Sequence, residues 1–132
     1  MLAEATTLDA LTPDSTRQAP DRASGQALAT LLAFLKIDAG MTLNAAIALL
    51  MIQESQAKQE PLTTSDISKA LNLAPPTVTR LMTYLGEGKV DDGFQGLDLI
   101  RMDIDKKDRR RRTLTLNSRG QKVLASVMAQ AG

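Results

Sequence analysis

A dense run of positive charge beside an alternating segment constrains the fold of this chain more than any other feature. Six of the seven residues from 106 to 112 are lysine or arginine, and Thr-Leu-Thr-Leu follows at 113–116. Alternation of polar and apolar residues is typical of a half-buried strand. Like charges repel each other and need water or a polyanion around them. The sequence therefore predicts a strand that is anchored on a core and joined to a surface turn.

The residues before this run complete a β-hairpin. The sequence LDLIRMDI at 97–104 has the composition of a strand, and DKKD at 105–108 is a polar turn. In the second strand, Leu114 and Leu116 are expected to point into the core, because every second side chain lies on the same face. Two strands joined by a charged turn predict a wing, which is a hairpin that projects from a helical domain.

The tip of the predicted wing is suited to a polyanion. Lysine and arginine neutralise phosphates, and arginine enters narrow A·T-rich minor grooves. Asp108 is expected to hold Arg109 or Arg110 in place by a charge-assisted hydrogen bond. For the charge run taken alone, a solvated turn is the alternative. The predicted DNA-binding residues of the tip are Lys106, Lys107, Arg109, Arg110, Arg111 and Arg112.

Composition narrows the classes of function. The 132 residues favour one domain, and they include neither cysteine nor histidine. A thiolate metal site and a disulfide are excluded, and the commonest general base is missing. We therefore predict that the chain is not an enzyme and that it holds no cofactor or metal. No basic segment followed by an apolar run opens the sequence, so we expect no signal peptide and a cytoplasmic protein.

Two helices are predicted to precede the basic half of the chain. Residues 1–25 are rich in proline, serine and aspartate, which predicts a flexible tail. Four leucines then recur at helical spacing and form a face for the core or for a partner: Leu28, Leu31, Leu32 and Leu35. Thr42 is the expected N-cap of the second helix. Its predicted buried stripe is Leu43, Ala46, Ile47, Leu50 and Met51.

The segment 63–85 predicts a helix-turn-helix. Thr63 and Asp66 form a capping-box-like pair at the start of a short helix, and Pro75 and Pro76 suit the first turn of the next one. The outer face of this second helix has threonine, arginine and tyrosine but no acidic residue. Such a face can approach phosphates and base edges. Its predicted DNA-binding residues are Thr77, Thr79, Arg80, Thr83 and Tyr84.

Together these elements predict a mainly α fold with a small β-hairpin (α+β), namely a winged helix-turn-helix. The tail at 1–25 precedes a single domain at 26–132. In chain order, the predicted domain contains the two leading helices, the helix-turn-helix at 63–85, a Gly-rich acidic loop at 86–97, the wing at 98–116 and a C-terminal helix at 118–131.

The order of these elements resembles the MarR family of bacterial winged-helix regulators, over roughly residues 41–127. The most specific match is the wing signature, which stands here as Asp-Arg-Arg at 108–110, Leu-Thr-Leu-Asn at 114–117 and Gly120. The Thr-Val-Thr-Arg segment at 77–80 is similar to the start of the family's recognition helix. The connection at 86–97 is longer and more acidic than is usual in the family.

The resemblance implies a homodimer, joined through its terminal helices, that binds a pseudo-palindromic DNA duplex. The recognition helix would lie in the major groove and the wing in the minor groove, with Arg110 as the wing arginine and Asp108 orienting it. Family members also bind small-molecule effectors. We therefore expect a sequence-specific regulator of transcription that acts as a repressor. Two alternatives stay open at this point, which are a winged helix for DNA replication, partition or packaging and a protein-interaction module.

Overall fold

The computed structural model describes residues 20–89 and 93–131. Five helices and five strands follow one another in this part of the chain: α1 Pro20–Ile37, α2 Leu43–Ala57, β1 Leu62–Thr63, α3 Thr64–Leu71, α4 Pro75–Leu85, β2 Gly88–Lys89, β3 Phe94–Gln95, β4 Ile100–Ile104, β5 Arg112–Leu116 and α5 Ser118–Ala131. This order confirms a mainly α winged helix-turn-helix. No helix among these residues is long and apolar enough to cross a membrane.

A three-stranded antiparallel sheet joins the wing to the helices. Its strand order is β1-β5-β4, with Leu62 opposite Leu114 and Ile100 opposite Leu116. The two leucines of β5 are buried, as the alternation predicted. Gln56 of α2 also accepts a hydrogen bond from the Leu116 N–H at 2.6 Å. The base of the wing is therefore fixed to the core, whereas its tip extends away from it.

The helix-turn-helix follows the local signals of the sequence. The Thr63 hydroxyl accepts from the Asp66 N–H at 3.2 Å, and the Asp66 carboxylate accepts from the Thr63 N–H at 2.9 Å, so the capping box is complete. Asn72 ends α3 in the left-handed conformation with φ 53°, which asparagine tolerates well. The chain can then turn directly into α4, where two prolines occupy the first turn.

The first helix is longer than the sequence predicted. The predicted tail reached residue 25, but α1 begins at Pro20 and has 18 residues. Proline is favoured in the first turn of a helix, because the N–H that it lacks has no partner there. The rest of the predicted tail, residues 1–19, lies outside the described residues. The four leucines of α1 are each about half exposed, so they do not belong to the core: Leu28, Leu31, Leu32 and Leu35.

The buried stripe of α2 also differs from the prediction. Leu43 is 63% exposed, whereas Leu49 and Ile52, outside the predicted stripe, are fully buried. The segment from Leu43 to Ile52 is apolar nearly all round, so helical spacing alone could not select its inner face. In α4, by contrast, apolar residues lie on one side only, and Val78, Met82 and Leu85 are buried there.

Candidate nucleic-acid interface

The outer face of α4 is open to solvent along its first two turns. Thr77, Thr79 and Arg80 are exposed, and Thr83 is partly exposed one turn further on. The opposite face of the helix packs in the core, so the direction of the outer face is fixed. The structure therefore brings four of the five predicted residues of this helix to one accessible surface.

Two threonines of this face share a specific geometry. The Thr79 hydroxyl donates to the Pro75 carbonyl at 3.1 Å, and the Thr83 hydroxyl donates to the Thr79 carbonyl at 2.8 Å. A hydroxyl has one hydrogen and two acceptor lone pairs. Because both hydrogens are used within the helix, each oxygen presents acceptor capacity to a ligand. Exocyclic amines of adenine and cytosine are donors in the major groove, so they match these oxygens.

The cationic tip, residues 106–112, connects β4 to β5 at the end of the wing and includes the first residue of β5. Its turn is closed by backbone hydrogen bonds from Asp105 N–H to Arg111 C=O at 3.0 Å and from Arg111 N–H to Asp108 C=O at 2.9 Å. The side chains of Lys106 and Lys107 are exposed there, as are those of Arg109 and Arg110. The tip thus places several positive charges on a defined turn.

Asp108 organises this turn and contacts Arg110. One of its carboxylate oxygens, Oδ1, accepts from the Arg110 N–H at 3.0 Å and from the Arg110 Nε at 3.4 Å. The Arg110 side chain is nevertheless 93% exposed. The structure thus contains the contact between Asp108 and Arg110 that the sequence suggested, with the Arg110 guanidinium still accessible to a partner.

Two further arginines of the tip are held by neighbouring groups. Arg112 donates from Nη1 to the Arg109 carbonyl at 2.9 Å, and Arg111 lies 3.9 Å from the Asp105 carboxylate. The first contact is a hydrogen bond at the surface, and the second is a long ion pair with an exposed arginine, which contributes little to stability. They restrict the directions of the arginine side chains more than they stabilise the fold.

Tyr84 does not lie with the other predicted residues of α4. Its side chain is partly buried, and its hydroxyl donates to Oδ2 of Asp38, in the turn after α1. Burial raises the pKa of Tyr84 to about 12, and the hydrogen bond to Asp38 and the negative charge of that residue act in the same direction. The hydroxyl is therefore already used within the protein, which does not support its predicted contact with DNA.

The segment predicted as a loop at 86–97 contains a small hairpin that sequence reasoning missed. Strands β2 and β3 pair antiparallel, with Gly88 opposite Gln95 and Lys89 opposite Phe94. The glycines of this segment were the signal in the sequence, because glycine allows conformations and close contacts that other residues do not. Gly88 shows both, since it has φ 83° and its backbone approaches β3 too closely for a side chain. The hairpin begins directly after α4, so it adjoins the predicted interface.

The last two residues of the wing signature, Asn117 and Gly120, have structural roles at the start of α5. Asn117 caps the helix, since its side-chain oxygen accepts from the Gly120 N–H at 2.7 Å. A side chain at Gly120 would collide with the Leu99 carbonyl. Glycine at this position therefore lets α5 pack directly against the base of the wing.

These features define a winged-helix protein of the kind found in MarR-family regulators. No protein-family model matches the chain, and no curated protein does so either. Solved structures do match it. A mutant of MepR from a multidrug-resistant S. aureus clinical isolate is 26% identical over 76% of this chain, with a TM-score of 0.59. The match covers 63% of that protein, so this chain spans less than two thirds of its length.

Two other solved structures extend the comparison. The S. aureus MepR–DNA complex is 24% identical over 89% of this chain and 82% of that one, with a TM-score of 0.57. The YusO protein from Bacillus subtilis is 21% identical, with coverages of 91% and 79% and a TM-score of 0.55. At these identities the likeness establishes the fold. The resemblance to MarR-family regulators that the sequence indicated is thereby confirmed.

Proposed function

We propose that this protein is a sequence-specific double-stranded DNA-binding regulator of transcription that acts as a repressor. One observation supports the proposal most: a fixed turn of lysines and arginines ends a wing whose strand β4 shares a surface groove with the threonine-bearing helix α4. The first surface suits phosphates and the second suits base edges. The similar protein MepR has been solved in complex with DNA, which agrees with this reading.

In the proposed complex, α4 enters the major groove and the wing reaches the minor groove. The outer face of α4 continues into the surface of the wing, because Thr83 of α4 and Met102 of β4 line the same groove. Arg110 would enter the minor groove, and Thr79 and Arg80 would contact base edges and phosphates. The remaining tip cations would neutralise phosphates along the backbone. The proposed function requires that the protein is in the cytoplasm, where it can reach DNA.

The first test is a salt titration of DNA binding. Fluorescence anisotropy with a mixed-sequence duplex should show log affinity falling linearly with log salt, by about 0.9 per neutralised phosphate. Arg110→Ala should bind more weakly and give a shallower slope. Arg22→Ala, which removes an exposed arginine from α1, is the matched control and should leave the slope unchanged. Absence of binding even at low salt would refute the proposal and favour a protein-interaction module.

We also propose that the protein is a homodimer joined through its terminal helices. The leucine face of α1 leaves four large apolar side chains about half exposed on one helix. Full burial of an exposed leucine contributes about 1.5–3 kcal/mol, so covering the exposed half of each of these side chains would contribute roughly half of that. Helix α5 packs beside α1, and Lys36 donates to the Gln130 side chain at 3.2 Å, so the two terminal helices form one surface.

The dimer can be tested by sedimentation velocity. Wild type should sediment as a dimer, and Leu31→Glu combined with Leu35→Glu should sediment as a monomer. The control is Gln26→Glu, which adds a charge to an exposed polar position of the same helix. A double variant that remains dimeric would place the interface elsewhere. A small-molecule effector, which the resemblance implies, stays a prediction.

A further inference from the structure

One side-chain contact links the recognition helix to the first helix. Tyr84 is in the last turn of α4, and its hydroxyl donates to Asp38, one residue past the end of α1. The two residues are 46 positions apart in the sequence. The contact therefore joins the element proposed to read DNA to the element proposed to form the dimer.

Both ends of this contact are held by the backbone. At the first end, the Asp38 N–H donates to the Phe34 carbonyl at 3.4 Å, and the Met41 N–H donates to the Asp38 carbonyl at 3.0 Å. At the second end, the Leu97 N–H donates to the Tyr84 carbonyl at 2.8 Å. Neither residue can move far without breaking these bonds, so the contact can transmit an orientation.

The position of α1 decides what that orientation would control. On one side of α1, Phe34 is buried in the core, and on the other side the leucine face is exposed. If this face meets a second copy, the direction of α4 relative to α1 determines how far apart the two recognition helices lie. In two-fold symmetric DNA-binding dimers, that distance determines the spacing of the half-sites.

We propose that Tyr84 and Asp38 are positioning residues that fix the angle between α4 and α1 and thereby select the spacing of the two DNA half-sites. This inference rests on the proposed function, since it needs a dimer that binds DNA. It assigns Tyr84 a role in specificity without a contact to DNA. A purely structural role would instead lower stability and leave the preferred spacing unchanged.

The test uses duplexes that differ only in half-site spacing. A half-site is first selected with wild type from a randomised duplex pool. Two copies of it are then placed at centre-to-centre distances that increase by one base pair, around one helical turn of about 10 base pairs. Affinity for each duplex, and for a duplex with one half-site, is measured for wild type, Tyr84→Phe, Asp38→Ala and the double variant.

The removal of the contact should broaden the spacing preference. If a third to a tenth of the dimers keep the original angle, affinity at the best spacing falls about three- to tenfold. Neighbouring spacings should lose less, and affinity for the single half-site should stay unchanged. The double variant should behave like either single variant, because both remove the same contact.

Two controls separate the possible outcomes. Thr30→Val removes a hydroxyl that donates to the Gln26 carbonyl within α1, and it should not alter the spacing profile. Melting temperatures of all variants report any loss of stability. If wild type binds no duplex, the proposed function fails. If wild type binds but Tyr84→Phe keeps its spacing profile, this inference alone is overturned.

Discussion

The outer face of α4 and the cationic tip of the wing differ in charge, although both belong to the proposed interface. Arg80 is the one cation on the face of α4, whereas the tip has six cations in seven positions. Thr79 and Thr83 of α4 are fixed by hydrogen bonds to the backbone of their own helix. Arg110, in contrast, remains almost wholly exposed despite its contact with Asp108.

This difference indicates a division of work between the two regions. Contacts with phosphates provide affinity that depends on salt and hardly on sequence, and contacts with base edges provide discrimination. A fixed acceptor suits discrimination, because it loses little conformational entropy on binding. An exposed arginine suits phosphates and groove walls, whose positions vary with DNA shape. The two regions should therefore respond differently to substitution.

The largest expected effect follows from the removal of the tip charge. Replacement of Arg109, Arg110, Arg111 and Arg112 by alanine should lower affinity for all duplexes at least about a hundredfold, since hydrogen bonds to charged groups contribute about 1.5–3 kcal/mol each. The salt slope should fall by about 3 to 4. Ratios of affinity between operator and unrelated duplexes should change much less. Anisotropy titrations at several salt concentrations measure all three quantities.

A charge-matched control distinguishes local contacts from net charge. Replacement of Arg22, Lys58 and Lys122 by alanine, and of Lys36 by glutamine to keep a polar side chain beside Gln130, removes an equal number of positive charges from α1, α5 and the end of α2. These residues lie outside α4 and the wing. If this control weakened binding as much as the tip variant, the tip would have no special position, and the proposed division of work would be wrong.

A smaller and more selective effect is expected at Thr79. Thr79→Val keeps the shape of the side chain but removes the acceptor oxygen, so it should lose about 1–3 kcal/mol of discrimination at one base position. Thr79→Ser keeps the oxygen and should retain the preference. Competition binding with operators changed one base pair at a time locates the affected position. The salt slope should be unchanged in both Thr79 variants. If Thr79→Val and Thr79→Ser had the same base preferences, a base contact through the hydroxyl oxygen would be excluded.

Asp108 is expected to influence DNA binding in two opposite ways, through its charge and through its contacts with Arg110. Asp108→Ala removes a negative charge from the tip, so electrostatics alone predicts tighter binding. The contacts of Asp108 with the backbone and side chain of Arg110 predict the opposite, because the turn and the arginine lose their orientation. We expect binding to weaken, about threefold to tenfold for one hydrogen bond of about 1 kcal/mol. Asp103→Ala removes a charge elsewhere on the wing and should not weaken binding; tighter binding by both variants would contradict the orienting role.

The parts of the fold that could be predicted from sequence are those with strong local signals. The alternating leucines of β5 predict a strand with one buried face, and the capping box at Thr63 predicts the start of a helix. Both features are present in the structure. The face of α2 could not be predicted, because the apolar residues surround that helix. The start of α1 was missed because polar residues after Pro20 resemble a tail, although the helix continues through them.

The candidate site was predictable to a similar extent. Local spacing placed Thr79 and Arg80 on the outer face of α4, and charge density located the tip. Helical spacing could not predict the direction of the Tyr84 hydroxyl, because its partner, Asp38, belongs to a turn that is distant in the sequence. Contacts of this kind depend on tertiary packing, which periodicity does not report. The small hairpin at 88–95 was missed for a related reason, since its two-residue strands are too short for a period.

The smallest expected effect tests this tertiary contact directly. Tyr84 is the single tyrosine of the chain, so the near-ultraviolet absorbance of tyrosinate reports its ionisation alone. The midpoint should lie near pH 12, above the ordinary pKa of 10.0, because burial and the bond to Asp38 favour the neutral hydroxyl. Asp38→Asn should move the midpoint part of the way back, since burial remains. Asp103→Asn is the matched control and should leave it in place.

The same pKa predicts how stability depends on pH. The folded state binds the Tyr84 proton more tightly than the unfolded state, whose tyrosine ionises near its ordinary pKa of 10.0. The stabilisation is therefore complete below pH 10 and is lost as pH rises towards 12. Urea unfolding of wild type and Tyr84→Phe across this range should show a steeper decline for wild type. Equal declines would mean that neither burial nor the contact with Asp38 holds the Tyr84 hydroxyl in solution, and α4 would then be oriented against α1 by packing of other residues.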